Sequence, residues 1–157
     1  MMADDDATNW IKHHVDSYLR TDGREGHLWD LSGFGFEKFS PTLLLRTIGR
    51  KTGAVRIVPL IYLPWGDEYV IIGSKGGAPE HPDWFINLKT DPRIAFQIGG
   101  KRWDGVARIV EGEERQRIWE YAVGRHPNYA EYAKSAGDRH IPVILLKPGM
   151  EIESLNG

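Results

Sequence analysis

The stretch TLLLRTIGRKTGAVRIVPLIYL, residues 42–63, decides the fold. Two apolar runs, TLLLRTI (42–48) and AVRIVPLIYL (54–63), flank Gly49-Arg50-Lys51-Thr52-Gly53. Glycine punctuation between such runs, the second rich in β-branched residues, reads as strand, turn, strand. Further along, DEYVIIGS (67–74) is a third strand, reached through a tight turn at Pro64-Trp65-Gly66-Asp67 and ended by Gly76-Gly77. HPDWFINLKT (81–90) is a helix, with Pro82 in its first turn and Trp84, Phe85 and Leu88 on one face. RIAFQI (93–98) and RWDGVARIV (102–110) flank Gly99-Gly100 and predict a hairpin. GEERQRIWEYAV (112–123) opens on acid and turns Ile118, Trp119, Ala122 and Val123 inward. NYAEYAK (128–134) is a short helix, and IPVILLKP (141–148) a last buried strand. Short strands, hairpin turns and few helices favour a mainly antiparallel barrel with flanking helices over a βαβ sheet.

Upstream of this core, TNWIKHHVDSYL (8–19) has amphipathic helical spacing, residues 1–7 read as a disordered acidic leader, and glycines make 21–40 an irregular connection. The expected division is 1–40, helix and connection, and 41–150, barrel. The helix caps the barrel, which we prefer, or covers the groove of the site, or offers a weak face to a membrane surface through Trp10, Ile11, Lys12, Val15 and Tyr18.

Composition narrows the chemistry. The chain has 157 residues, no cysteine and a net charge of −2. One domain is expected, without thiolate metal site, disulfide or cysteine nucleophile. The charge disfavours a nucleic-acid binder. No run of about 18 apolar residues suggests a membrane span, and no secretory leader is visible. A cytoplasmic protein is expected. No G-x-G-x-x-G follows a strand, and Gly49-Arg50-Lys51-Thr52 lacks the earlier glycine of a P-loop, because position 44 is leucine. The histidines form no metal pattern, so the metal expectation is none.

Four groups of residues could carry chemistry. Arg46, Arg50, Lys51 and Arg56 place four cations within eleven residues around a glycine-bounded turn. They can grip phosphate or carboxylate, or form a solvated loop. Arg46 and Arg56 are the stronger candidates, since a charge inside an apolar strand needs a partner. Ser74-Lys75-Gly76-Gly77 lies between a strand and a helix, where backbone N–H groups can cradle an anion. Trp84 and Asn87 share a helical face; the pattern alone favours a core tryptophan and a surface asparagine. Tyr129 and Tyr132 can wall a cavity for a planar acceptor or simply pack their helix.

In this order, LLLRTIGRKTGAVRIVPLIYL, YVIIGSKGGAPEHPDWFINLKTDPRIAFQIGG, ARIVEGEERQRIWEYAV and IPVILLKP resemble the deazaflavin (coenzyme F420)-dependent nitroreductase family, over roughly residues 40–148. The resemblance implies a split β-barrel related to flavin-reductase and pyridoxamine-phosphate-oxidase barrels. It implies reductase activity, with coenzyme F420 giving hydride to a quinone, enone or nitro compound. By the same resemblance Arg50, Lys51 and Arg56 hold the coenzyme's phosphate and glutamyl tail. Ser74, Lys75, Gly76 and Gly77 lie beside its ring and phosphate, Trp84 and Asn87 near its groove, and Tyr129 and Tyr132 wall the acceptor pocket. Ser74, then a tyrosine, is the expected proton donor or oxyanion partner. His126 stands where nitroimidazole-activating members have a tyrosine, which favours quinone or enone acceptors. The rivals are a split-barrel oxidoreductase using FMN or haem-derived ligands, a non-catalytic deazaflavin carrier or sensor, and an OB-like barrel binding nucleic acid, which the negative charge disfavours. Partners are a small-molecule acceptor and no nucleic acid, with a monomer or homodimer as the assembly.

Overall fold

The computed structural model describes residues 2–30 and 39–155, with side chains from residue 10 onward. Helix α1 (Met2–Thr21) leads into strands β1 (Leu28–Trp29), β2 (Ser40–Ile48), β3 (Val55–Ile61), β4 (Leu63–Trp65) and β5 (Glu68–Ile72). A 3-10 turn (Lys75–Gly77) and helix α2 (Asp83–Thr90) precede the hairpin of β6 (Arg93–Ile98) and β7 (Lys101–Ile109). Helices α3 (Gly112–Arg125) and α4 (Asn128–Ser135) and strand β8 (Val143–Glu151) complete the order. Among the described residues no helix is long and apolar enough to cross a membrane.

All strand pairings are antiparallel, in the order β1-β2-β6-β7-β8-β5-β4, with β3 also on β2. Tyr62 alone separates β3 from β4, although the two lie at opposite ends of the sheet. The chain therefore carries the sheet from one edge to the other, and the sheet curls into a half-barrel. Pro64 lies inside β4, which among the described residues pairs only with β5. An edge strand accepts proline because a ladder N–H is not required on its open side. The turn expected at Pro64–Asp67 is therefore shorter, with Gly66 at φ +63° supplying the left-handed step.

Continuous apolar runs are explained by burial on both sheet faces. Leu43 and Leu45 of β2, Ile71 of β5, Phe96 of β6 and Ile144 and Leu146 of β8 point into the barrel, which α2 plugs with Trp84, Phe85 and Leu88. Their neighbours point outward. Val70, Ile72, Val143 and Leu145 meet Ile118, Ala122 and Tyr129 of α3 and α4. Leu44 and Ala95 meet Tyr18 of α1 and Leu155. Strand alternation thus feeds two different cores, and a one-residue slip would exchange them. Between Trp103 and Gly105 the β7–β8 register shifts. A Cβ at Gly105 would lie 2.5 Å from the Lys147 carbonyl oxygen, so the close approach there requires glycine.

The helix begins at Met2, not near Thr8, so the expected acidic leader is helical. It caps the barrel through Tyr18, whose side chain is fully buried. The Tyr18 phenol reaches the carbonyl oxygens of Thr42 (3.0 Å) and Gln97 (3.3 Å) and accepts from the Gly99 N–H (2.9 Å). Replacing Tyr18 with Phe removes this anchor and strands buried backbone groups, at about 2 kcal/mol. Thermal unfolding should show a midpoint lower by about 4–8 °C; an unchanged midpoint contradicts the anchoring role.

Candidate functional site

Two cavities meet at one indole. The first, about 370 Å³, is lined by Pro59, Leu60 and Ile61 of β3, Ser74, Lys75 and Gly76 of the turn, Trp84, Tyr129 and Tyr132, with Trp10 and Trp29 at its rim. The second, about 570 Å³, is lined by Gly49, Arg50, Lys51, Thr52, Arg56, Val58, Asp83, Trp84 and Asn87. One chamber is apolar and aromatic, the other basic. Trp84 belongs to both.

The basic chamber is built by the β2–β3 turn folding over the start of α2. Gly49 and Gly53 close that turn, with the Gly53 N–H on the Gly49 carbonyl at 2.8 Å. Arg50 is held rather than open: its guanidinium donates to Asn87 Oδ1 (2.8 Å) and to Asp83 Oδ1 (3.2 Å). Asn87 is buried, not at the surface as its pattern alone suggested, and it also donates to Thr47 Oγ1 at 3.4 Å. Lys51 and Arg56 are exposed, and among the described residues neither has an acidic partner. Arg46 departs from the expectation of a shared anion grip. It lies on the opposite face of β2, and its Nη1 donates to the Leu155 carbonyl at 2.8 Å. Strand alternation explains this: Leu44 and Arg46 face outward while Leu43 and Leu45 face in.

In the apolar chamber, Ser74 is right-handed (φ −72°, ψ −37°), and Lys75, Gly76 and Gly77 follow with φ of +47°, +62° and +83°. A right-handed residue followed by left-handed ones gathers consecutive N–H groups into a concavity that suits an anionic or carbonyl oxygen. A Cβ on Gly76 would meet open space, so a ligand can approach that backbone closely. The Ser74 side chain makes no capping bond to the turn. Tyr129 and Tyr132 stand edge to face at 6.3 Å, and Asn128 Nδ2 donates to the Tyr132 hydroxyl at 3.3 Å. Burial pushes the Tyr129 phenol well above its ordinary range, so it stays protonated. His126 is buried behind Tyr129, edge-on at 5.8 Å, and does not line the chamber.

Three contributors escaped the sequence reading as site residues. Trp10 and Trp29 meet at 4.9 Å over the chamber's rim, so α1 caps the barrel and borders the site. Trp29 rests edge-on against His14 at 4.3 Å. Arg139, which follows α4, donates to the carbonyls of Gly73 (2.9 Å), Ser74 (2.7 Å) and Ala78 (2.9 Å) and reaches His81 Nδ1 at 3.1 Å. Its only local signal was a cation just before a buried strand.

Since Arg139 can only donate, His81 Nδ1 accepts and the imidazole is neutral. Burial first, then Arg139 and Lys89, lower the His81 pKa. Burial also lowers those of His14 and His27. Folded values below the unfolded 6.5 mean the unfolded chain binds more protons in acid. Stability is therefore full above pH 6.5 and falls as pH drops through that value toward the folded pKa values. Urea midpoints at pH 7.5 and 5.5 should show it, and an equal or higher midpoint at pH 5.5 contradicts it.

The two chambers together fit a ligand with a flat ring and an anionic tail: an aromatic slot with amide donors on one side of Trp84, and on the other two cations that have no acidic partner among the described residues. Residues 10–148 match the model of the F420H(2)-dependent quinone reductase family. An F420H(2)-dependent quinone reductase of Mycobacterium tuberculosis is 33% identical, with 90% of this chain and 97% of that protein covered. The solved structure of an F420-H2-dependent reductase is 42% identical at a TM-score of 0.62, covering 68% of this chain and 94% of the other. A domain-swapped dimer is 36% identical at a TM-score of 0.65, covering 90% and 99%. A pyridoxamine 5'-phosphate oxidase of Listeria innocua, 17% identical at a TM-score of 0.50 over 72% of this chain and 89% of that one, shares the split-barrel fold alone. The chain belongs to the F420H(2)-dependent quinone reductase family, a family of oxidoreductases whose cofactor is coenzyme F420.

Proposed function

We propose that this chain reduces a quinone, or a comparably electron-poor enone or nitro compound, with reduced coenzyme F420 in the cytosol. The observation that carries the reading is the pair of chambers sharing Trp84, aromatic on one side and basic on the other. Lys51 and Arg56 hold the phosphate and carboxylates of the coenzyme's tail. Arg50 and Asn87 fix the turn that presents them. Ser74, Lys75 and Gly76 would border the ring through their backbone, with Gly77 packed behind them against α4, and Trp84 would stand between ring and tail. When bound, the deazaflavin supplies a hydride, so neither metal nor cysteine is needed.

Tyr129 and Tyr132, which line the chamber, would wall the acceptor's side and exclude water from it. The acceptor quinone gains a hydride and one proton and leaves as the quinol. Ser74 Oγ–H donates to the oxygen that becomes negative, with the proton replaced from solvent. A second copy of this chain is the expected protein partner, as in the domain-swapped relative.

Mixing the protein with reduced coenzyme and menadione, and following the ring's visible absorbance, tests the reading. Catalysed oxidation is expected. Tight coenzyme binding with background turnover of every quinone, enone and nitroaromatic tried would falsify it and favour a carrier. A clear preference for FMN in equilibrium dialysis would instead favour a flavin enzyme.

A further inference from the structure

We propose that Arg139 is a positioning residue, which turns the Ser74 and Lys75 amides into the aromatic chamber to meet an oxygen of the bound coenzyme. The inference rests on the reading above. In a trans peptide the C=O and the following N–H point in opposite directions. Arg139 draws the Gly73 carbonyl toward itself at 2.9 Å, which turns the Ser74 N–H away from the guanidinium. It draws the Ser74 carbonyl in at 2.7 Å, which does the same to the Lys75 N–H. Ser74, Lys75 and Gly76 line the chamber. The guanidinium thus fixes the Ser74 donor, and it fixes the Lys75 donor together with the Gly77 N–H, which also donates to the Ser74 carbonyl at 2.9 Å.

The clamp spans three segments. Nε holds Ala78, where the loop leaves the 3-10 turn, at 2.9 Å. Nη1 also meets His81, which precedes the helix carrying Trp84, at 3.1 Å. Arg139 itself follows α4, which carries Tyr129 and Tyr132. The same side chain therefore sets the spacing between the tyrosine wall, the amide donors and α2. Hydride transfer depends steeply on the separation of the two planar partners. Lysine keeps the charge but lacks the planar fork that reaches several carbonyls at once.

The experiment compares wild type with Arg139→Lys, with all values taken per folded molecule. In the coenzyme-free protein, amide exchange of the 73–81 segment should speed about tenfold. Single-turnover hydride transfer to menadione should slow about tenfold, and the isotope effect from deuterium at the transferring carbon should rise as that step becomes more limiting. His81→Phe, which removes one of the four contacts, should move the same readouts in the same direction by less, and it decides the matter if Arg139→Lys does not fold. Wild-type turnover with unchanged exchange, rate and isotope effect in the folded variants overturns the inference, even if their melting points fall. Absence of wild-type turnover overturns the parent reading instead, and the exchange measurement still decides whether Arg139 holds the loop.

Discussion

Replacing Lys51 and Arg56 together by alanine will weaken coenzyme F420 binding about a hundredfold. A charge-assisted hydrogen bond contributes about 1.5–3 kcal/mol. Both side chains are exposed, so solvent screening trims each contribution to about 1.4 kcal/mol, or tenfold. Arg50 is left intact because it holds Asp83 and Asn87, and its removal would disturb α2. Salt provides an internal control. Raising ionic strength should weaken wild-type binding, and the double variant should lose most of that sensitivity. Titration by tryptophan fluorescence suits the measurement, since Trp84 lines both chambers. A dissociation constant within twofold of wild type would leave the basic chamber without its assigned role.

The second large effect concerns stability and site geometry together. Gly77→Val should lower stability by about 2–5 kcal/mol, where Gly76→Ala costs about 1–2 kcal/mol. Both glycines are left-handed, at φ +83° and +62°. They differ in surroundings. A Cβ at Gly77 would lie 2.8 Å from Ser135 Cβ, 2.9 Å from the Tyr132 carbonyl oxygen and 3.0 Å from Tyr132 Cα, whereas at Gly76 it would meet nothing within 4 Å. Valine at 77 must push α4 outward and carry Tyr132 from the chamber. Thermal unfolding should therefore separate the two variants by roughly 5–10 °C. Equal midpoints would mean that α4 yields easily and that its tyrosine wall is soft.

Much of the fold was legible because β2, β6 and the first half of β8 are continuous apolar runs and the hairpin turns carry glycine. The Gly99-Gly100 hairpin and the helix over Trp84, Phe85 and Leu88 follow from local rules and stand where those rules place them. What local rules could not supply is long-range. Asn87 reads as a surface residue until β2 folds beside it and Thr47 and Arg50 reach its amide. Arg46 reads as a companion of Arg56, yet alternation turns it to the opposite face, toward Leu155. Arg139 sits more than sixty residues from the carbonyls of Gly73 and Ser74, and Trp10 and Trp29 border a chamber whose other walls come much later in the chain. Pro64 marked a turn by its usual preference, and only the strand's place at the sheet edge allows it inside β4.

The indole of Trp84 has a consequence for how a two-ended ligand is held. Once either end is seated, the other is tethered within a few ångströms of its own chamber, at an effective concentration in the millimolar range. Isolated fragments, a bare tricyclic head or a bare phosphorylated tail, forgo that gain and should associate orders of magnitude more feebly than the intact molecule. Avidity within a single molecule, rather than strength at either end, then governs how tightly so small a barrel can hold a long, flexible ligand.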